Sequence, residues 1–174
     1  MIKLKLILPA LFLSSNVLAR TSIRESLFQP VEIKSVDSCF SPVEKCDVKI
    51  ISFIQKAQTR LDIAIFALTH SGISNAIKQA KAKGIAVRLV IDREQSLLPN
   101  SKAAELKSQG VDIKFGLAES MMHNKITIVD LQQAETGSYN YTLNATTNNL
   151  ENQIYFSDET LVKRVCLNNS WVIC

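Results

Sequence analysis

The chain has 174 residues, of which 47% are hydrophobic and 21% are charged. This length and composition predict one globular domain with a single core, and the absence of repeats, biased stretches and long linkers excludes repeat-built and low-complexity proteins. The formal net charge of +4 falls to +2 without residues 1–19, because 20 − 2 leaves 18 basic residues against 16 acidic ones. So weak a charge neither requires nor excludes a nucleic-acid partner.

The first 19 residues have the three parts of a secretory signal peptide. Lys3 and Lys5 form a positive n-region, residues 6–13 form an apolar h-region, and residues 17–19 have the pattern of a cleavage site. The h-region is too short for a permanent transmembrane helix, and an uncleaved anchor is the alternative. We therefore expect a signal peptide at residues 1–19, one domain at residues 20–174, and a periplasmic or secreted protein with no stable membrane insertion.

Strand-like and helix-like segments alternate in the first half of the domain. Strands are predicted at residues 31–36, 61–68, 85–91 and 111–115, and helices at about 47–58, 71–83 and 101–108. The segment from Cys39 to Cys46 is predicted as a loop. Asp47 and Ser71 are the predicted N-caps, and Gly84 is a predicted helix end. The residues of the first helix that should face the core are Val48, Ile51 and Ile54.

After residue 122 the pattern changes to consecutive strands. They are predicted at residues 125–130, 134–138 and 151–156, followed by a helix at 159–167. The Asn-rich segment at residues 144–149 is predicted as a loop. The two halves together predict an α/β fold, in which a mixed β-sheet core is flanked by helices on both faces.

All four cysteines follow the predicted cleavage site, at positions Cys39, Cys46, Cys166 and Cys174. An even number of cysteines behind an export signal predicts disulfides. Three pairings are possible, and the two local pairs, Cys39–Cys46 and Cys166–Cys174, are the simplest. We expect no metal site, because no C-x2-C spacing occurs and the chain has only two histidines. A redox role is not expected either, because no C-x-x-C is present.

Residues 123–140 combine a nucleophile with groups that can hold an anion. His123 and Lys125 are two residues apart, so in a strand their side chains would leave the same face. An imidazole can attack phosphorus, and a neighbouring ammonium can hold the phosphate oxygens. Ser138 and Asn140 lie on a glycine-containing turn and can donate hydrogen bonds to the same phosphate. The tyrosines that alternate with them, at positions 139 and 141, are expected to pack inward.

The spacing H-x-K-x4-D-x6-G-S-x-N, in which Asp130 is the aspartate, matches the signature of the phospholipase D superfamily at every defined position. The resemblance extends over roughly residues 31–165. Residues 63–69 and 84–92 resemble the first half of that fold, and residues 150–152 resemble the acidic element that follows the motif. The chain is most similar in type to the small members with one motif, the bacterial periplasmic nucleases and the short secreted phospholipases D.

This resemblance implies a phospholipase D-like fold and a two-step phosphodiester transfer that needs no metal or other cofactor. One histidine attacks phosphorus to form a phosphohistidine, a second histidine protonates the leaving oxygen, and water or an alcohol then attacks. By position, the implied catalytic residues are His123, Lys125, Asp130 and Glu151, and the implied phosphate-binding residues are Lys125, Ser138 and Asn140. Asp130 and Glu151 would act from behind the site, and Glu151 would orient His123.

Two imidazoles are needed, and the chain offers only His70 and His123. In relatives with one motif, a symmetric homodimer brings two motif histidines into one shared site, which implies a homodimer here. The alternative is that His70 is the acid within one chain. The motif specifies no histidine at that position, so we expect His70 to be a loop or rim residue.

The motif does not identify the phosphodiester. An endonuclease acting on DNA or RNA is favoured by the small size, the export signal, the mildly basic chain and the lack of a basic amphipathic helix that would dock on a membrane. The alternative is a phospholipase D that converts phosphatidylcholine to phosphatidate and choline, because short secreted relatives of that name have a segment similar to residues 38–46. A catalytically dead binding module is the third hypothesis, and the intact His123 and Lys125 argue against it.

Overall fold

A seven-stranded mixed β-sheet forms the core of the computed structural model, which describes residues 35–168. The strands are β1 (Val36–Ser41), β2 (Arg60–Ile65), β3 (Ala86–Ile91), β4 (Asp112–Phe115), β5 (Lys125–Val129), β6 (Gln133–Gly137) and β7 (Glu151–Phe156). Their order is β1-β7-β6-β5-β2-β3-β4. Strands β2, β3 and β4 are parallel, and all other neighbours are antiparallel. The predicted signal peptide lies outside the described residues.

Helices cover both faces of this sheet, as predicted. Within residues 35–168 they are α1 (Cys46–Ile54), α2 (Ser71–Ala82), α3 (Arg93–Ser96), α4 (Ala103–Ser108), α5 (Leu143–Thr147) and α6 (Glu159–Asn168). Side chains of α1, α2, α4 and α5 pack on the odd-numbered residues of β2 and β3. Side chains of α6 pack on the opposite face, with even-numbered residues of β5. Because both faces are buried, the central strands are almost continuously apolar.

Helix α1 differs from its predicted position. It begins at Cys46, so Asp47 lies in its first turn instead of capping it, and it ends at Ile54 and not near residue 58. The predicted inner residue Val48 is 52% exposed, whereas Ile50 and Phe53 are buried. The prediction is confirmed for Ile54, which is buried, and for Ile51, which packs on the core. It is wrong for Val48, because Cys46 points inward and helical spacing from residue 46 places residues 50 and 53 on the buried face.

Helix α2 confirms its predicted end and corrects its predicted start. Ser71 is the first helical residue, and the N-cap is His70, whose Nδ1 accepts a hydrogen bond from the backbone N–H of Ile73 at 3.3 Å. Gly84 follows the helix with φ +84°, which is the left-handed conformation expected of a glycine that ends a helix.

Two short helices were not predicted. Helix α3 follows β3, and the side chain of Asp92 caps it. Helix α5 lies largely within the Asn-rich segment that was predicted as a loop, and the side chain of Thr142 caps it. Both helices are too short for hydrophobic periodicity to reveal them. No helix within residues 35–168 is both long and apolar enough to span a membrane.

One predicted disulfide, Cys39–Cys46, is confirmed, with Cα atoms 5.7 Å apart. Cys39 lies in β1, so only residues 42–45 of the predicted loop lie outside regular elements. The bond ties the edge strand β1 to the start of α1. Cys166 is also disulfide-bonded, and Cys174 lies outside the described residues.

Candidate active site

Strand pairing brings most of the predicted site residues to one edge of the sheet. Lys125, the first residue of β5, lies opposite Ile65, the last residue of β2. Strand β6 ends beside the start of β5, and β7 starts beside the end of β6. The segments that follow β2 and β6 and precede β5 and β7 therefore meet at this edge.

His123 and Lys125 are in direct contact. The Nζ atom of Lys125 lies 2.9 Å from Nδ1 of His123 and donates to the carbonyl oxygen of His123 at 2.7 Å. The ring of Phe66, the residue after β2, lies 4.7 Å from the imidazole, centroid to centroid, and 5.2 Å from Nζ of Lys125. His123 is exposed and Lys125 is buried, so the imidazole is accessible and the ammonium lies behind it.

The ammonium group of Lys125 is partly desolvated, so a nearby anion would stabilise its charge. Burial lowers the pKa of Lys125, and the nearby carboxylate of Glu151 acts in the opposite direction. Because an ammonium can only donate, Nδ1 of His123 is the acceptor in their contact. A phosphate would offer Lys125 a charged acceptor and a stronger hydrogen bond. Two of the three N–H groups of Lys125 are used in the contacts with His123, so the third can bind a phosphate without breaking them.

Ser138 and Glu151 form a second polar group at the same edge. The hydroxyl of Ser138 donates to Oε2 of Glu151 and accepts from the backbone N–H of Asn152 at 3.1 Å. Asn149 donates to Oε1 of Glu151 at 2.9 Å. Within residues 35–168, the expected hydrogen bond between Glu151 and His123 is not formed. Glu151 instead orients Ser138 and adds a negative charge near Lys125.

Asn140 and Gly137 complete the turn after β6. Oδ1 of Asn140 accepts from the backbone N–H of Ala67 at 3.3 Å, which leaves its Nδ2 group as a donor for substrate. A Cβ added to Gly137 would lie 2.1 Å from the carbonyl oxygen of Asn152. Glycine at this position therefore lets the turn after β6 approach the start of β7.

The structure does not bring Asp130 to this group. Asp130 follows the last residue of β5, which at the rise of a strand places it roughly 17 Å from Lys125. Its carboxylate accepts from the backbone N–H groups of Gln58, Thr59 and Arg60, at distances from 2.8 Å to 3.3 Å. The carboxylate of Asp130 therefore holds the turn at the opposite edge of the sheet, and a role of Asp130 behind the site stays a prediction. Burial alone would raise the pKa of Asp130, but these hydrogen bonds bring it below its usual value.

A metal centre finds little support in the described residues. Among residues 35–168, the side chains Cys39, Glu44 and Cys46 lie close enough together to share an ion. The two thiols are joined in the disulfide and cannot act as thiolates.

The family model described as "Cardiolipin synthase, PLD-like domain" matches residues 50–167 of the chain. The chain belongs to the phospholipase D superfamily. The matched residues include the whole motif and every described element from β2 to β7. The superfamily places the chain among phosphodiester hydrolases, and the sheet with its flanking helices is the phospholipase D-like fold that the sequence predicted.

Individual members of the superfamily are similar to the chain over most of its length. The phospholipase D of Rickettsia typhi is 28% identical over 154 residues, which cover 88% of this chain and 76% of that protein. The mitochondrial cardiolipin hydrolase of Xenopus tropicalis is 27% identical, covering 83% of this chain and 73% of that protein. The crystal structure of Nuc from Salmonella typhimurium, a phospholipase D family member, superimposes with a TM-score of 0.73 and 29% identity, over 77% of this chain and 90% of that one.

His70 lies outside the motif of the superfamily, and its imidazole contacts residues of the first two helices. Its Nδ1 caps α2, and its Nε2 lies 3.7 Å from a carboxylate oxygen of Asp47. Both ring nitrogens are therefore engaged within the chain. His70 therefore lies between a loop and α2, in agreement with the expected loop or rim position, and it also caps the helix.

Sequence reasoning missed two residues of this phospholipase D-like site. Phe66 contacts both residues of the H-x-K pair, and Asn149 holds the carboxylate of Glu151. Phe66 could have been suspected, because it directly follows the buried strand that pairs with the motif strand. Asn149 had no such signal, since its role depends on the local path of the chain after α5.

Proposed function

We propose that the chain is a metal-independent nuclease that cleaves DNA or RNA through a phosphohistidine intermediate. The observation that carries the proposal is the contact of His123 with Lys125 at 2.9 Å, beside Ser138 and Asn140. The imidazole of His123 forms a P–N bond as the P–O bond to the leaving oxygen breaks, and a second imidazole gives that oxygen its proton. Water then attacks phosphorus, the P–N bond breaks, and the second imidazole takes the proton of the water. The Lys125, Ser138 and Asn140 side chains stabilise the charge on the phosphoryl oxygens.

A cavity beside the catalytic pair supports a polynucleotide substrate. Its volume is about 240 Å³, and its wall includes Phe66 and Arg93 together with three acidic residues, Asp92, Glu94 and Glu119. The support for a polynucleotide therefore comes from Phe66 and Arg93 alone. Arg93 is exposed, so its guanidinium can hold a neighbouring phosphate of the same strand. Phe66 offers an aromatic surface to a base or sugar. A polynucleotide bound across His123 would thus have contacts beyond the reacting phosphate.

Phospholipid is the second candidate substrate, and two observations favour it. The exposed side chains of Leu117 and Met121 lie on the rim of the same cavity, where acyl chains or a bilayer surface could contact them. Relatives of similar length carry the names phospholipase D and mitochondrial cardiolipin hydrolase.

The test is to incubate the oxidised protein, in excess EDTA, with plasmid DNA and separately with vesicles of phosphatidylcholine. We expect nicked and linear plasmid and no release of choline. Arg93→Ala should weaken plasmid cleavage more than hydrolysis of a small chromogenic diester, whereas Lys83→Ala, which removes an exposed charge at the other edge of the sheet, should affect neither. Choline release with intact plasmid would replace the nuclease proposal with the phospholipase one.

We also propose that two copies form a homodimer with one shared site. Met121, Leu143 and Leu150 are exposed apolar side chains within three residues of His123, Asn140 and Glu151 respectively. A second copy packed on these side chains would bury them and bring a second His123 to the same phosphate. An isologous contact of this kind would supply the missing acid.

We further propose that the protein acts outside the cytoplasm, in the periplasm or the medium. The Cys39–Cys46 disulfide supports this location, because such bonds persist in oxidising compartments. Mass spectrometry of unreduced, alkylated protein from the exported fraction should find no modified cysteine. Four alkylated cysteines in that fraction would contradict the proposal.

A further inference from the structure

Tyr141 is a fully buried residue whose hydroxyl group joins two strands beneath the active site. The hydroxyl is hydrogen-bonded to Oγ1 of Thr127 in β5. It also donates to Oε2 of Glu135 in β6 at 3.3 Å. Thr127 and Glu135 are themselves fully buried, and they face each other across the two strands.

The backbone of Tyr141 binds a third segment. Its N–H donates to the carbonyl oxygen of Ala67 at 3.0 Å, and its carbonyl oxygen accepts from the N–H groups of Thr69 and His70 at 2.9 Å and 2.8 Å. This segment begins with Phe66, whose ring contacts His123 and Lys125.

The three segments that Tyr141 joins are the ones that carry the catalytic groups. Thr127 is two residues after Lys125 on the same face of β5, and Glu135 is three residues before Ser138. Asn140 directly precedes Tyr141. We propose that the Tyr141 hydroxyl is a positioning group for phosphodiester cleavage: it fixes Lys125 relative to Ser138 and Asn140 without touching the substrate. This inference rests on the site assigned under the proposed function.

The surroundings explain why one hydroxyl can have this effect. Thr127, Glu135 and Tyr141 lie in the core, where a polar atom that loses its partner cannot turn to water. Oε1 of Glu135 already has no hydrogen-bond partner among the described residues. Burial raises the pKa of Glu135 to about 8, so at pH 7 this carboxyl is mainly neutral. Removal of the Tyr141 hydroxyl would leave β5 and β6 paired through their backbones but would detach the side chains of Thr127 and Glu135 from the turn, which could then shift relative to β5.

The chain contains a matched control for this hydroxyl. Tyr155 in β7 is also buried, and its hydroxyl donates to Oε1 of Gln153 at 2.7 Å within the same strand. Tyr141→Phe and Tyr155→Phe therefore each remove one buried, hydrogen-bonded hydroxyl. Of these two hydroxyl groups, only that of Tyr141 joins β5, the strand of Lys125, to the turn after β6.

The experiment measures kcat and KM of both variants with bis(p-nitrophenyl) phosphate, a diester that is neither lipid nor nucleic acid, together with urea unfolding. Both variants should lose similar stability. Tyr141→Phe should lower kcat about tenfold, because small displacements of catalytic groups are costly, and Tyr155→Phe should leave kcat within about twofold of wild type.

Two further variants separate positioning from general destabilisation. Thr127→Val should reproduce the kcat of Tyr141→Phe, and the double variant should be no slower than either single one, because all three lack the same contact. Glu135→Gln, which keeps a neutral acceptor for the Tyr141 hydroxyl, should retain nearly wild-type kcat at pH 7.

Wild-type kcat in Tyr141→Phe, or equal losses of kcat in the two tyrosine variants, would overturn the positioning role. His123→Ala distinguishes this failure from failure of the site assignment. If His123→Ala is as active as wild type, the assigned site and this inference are both wrong. If His123→Ala is inactive and Tyr141→Phe is fully active, only this inference is wrong.

Discussion

At the scale of single residues, the two members of the H-x-K pair have different tasks. In the proposed mechanism, His123 supplies the nucleophile, and Lys125 holds phosphate both before and during the reaction. His123→Asn should lower kcat by about a thousandfold or more and leave KM nearly unchanged. Lys125→Ala should lower kcat and raise KM, because its charge acts in the ground state and in the transition state. Steady-state kinetics on a chromogenic diester measures both constants.

Lys83→Ala is the control for Lys125→Ala, since it removes the same charge from an exposed position beyond α2. Its kinetics should match the wild type. Near wild-type turnover in His123→Asn would falsify the assignment of the nucleophile.

Glu135 should make the stability of the fold depend on pH. Burial raises its pKa from 4.5 to about 8 in the folded protein, and the side chains that face it are the uncharged Thr127, Tyr141 and Tyr155. Between these two values the folded state keeps a proton that the unfolded state has released. The contribution of Glu135 to stability therefore falls as pH rises from about 4.5 to about 8, and is constant above that. Urea unfolding at pH 5 and pH 8 measures the fall.

Glu135→Gln has no proton to lose at this position. Its stability should change less between pH 5 and pH 8 than that of the wild type. Identical pH dependence in the two proteins would show that Glu135 ionises normally in the folded state.

At the scale of elements, one carboxylate fixes the turn that leaves β5. Asp130 has a positive φ of 52° and accepts from three consecutive backbone N–H groups that precede and begin β2. Asp130→Ala should lower the free energy of unfolding by about 1–2 kcal/mol, because these donors lose a charged acceptor but are exposed enough for water to replace it in part. The kcat per folded molecule should stay close to wild type. Urea titration and active-site-normalised kinetics give the two quantities.

Asp130→Asn keeps one acceptor oxygen and should be less destabilised than Asp130→Ala. A large loss of kcat in a folded Asp130→Asn protein would show that Asp130 contributes to catalysis.

The elements that sequence predicted well are those whose signal is local. The buried strands β2 and β3 are apolar runs, and the i, i+2 spacing of His123 and Lys125 was enough to predict their contact. The inner face of α1 was only partly right, because a disulfide to another element decides which way Cys46 points. The contacts of Tyr141 could not be predicted, since they depend on which strands are neighbours in the sheet, and Phe66 could be suspected only from its place after a buried strand.

The position of Asp130 could be anticipated in part. The motif groups it with His123 and Lys125 along the chain, and the rise of a strand separates it from Lys125 by roughly 17 Å. Its backbone partners at residues 58–60 could not be predicted, because they depend on β2 lying next to β5.

At the scale of the whole molecule, the proposed dimer makes a quantitative prediction. If two copies share one site, a heterodimer of wild type and His123→Ala has one imidazole and should be nearly inactive. Activity of an equilibrated random mixture should then follow the square of the wild-type fraction. Independent sites in each chain would give a linear decrease instead.

His70→Asn is the companion variant, because asparagine can still cap α2. It should have nearly normal kcat, and His70→Ala should lose about 1 kcal/mol of stability with little loss of kcat. A linear mixing curve together with an inactive His70→Asn protein would place His70 in the mechanism and remove the need for a dimer.

If the proposed roles are correct, natural selection acts differently on the two ends of β5. Lys125 at one end would be retained for chemistry, and Asp130 just beyond the other end would be retained for folding. A descendant that lost its activity but kept its fold would be free to change His123 and Lys125, yet it would still need Asp130. The aspartate of the motif is therefore expected to persist in inactive relatives. In such a comparison, only the histidine and the lysine would distinguish an active enzyme from an inactive protein with the same fold.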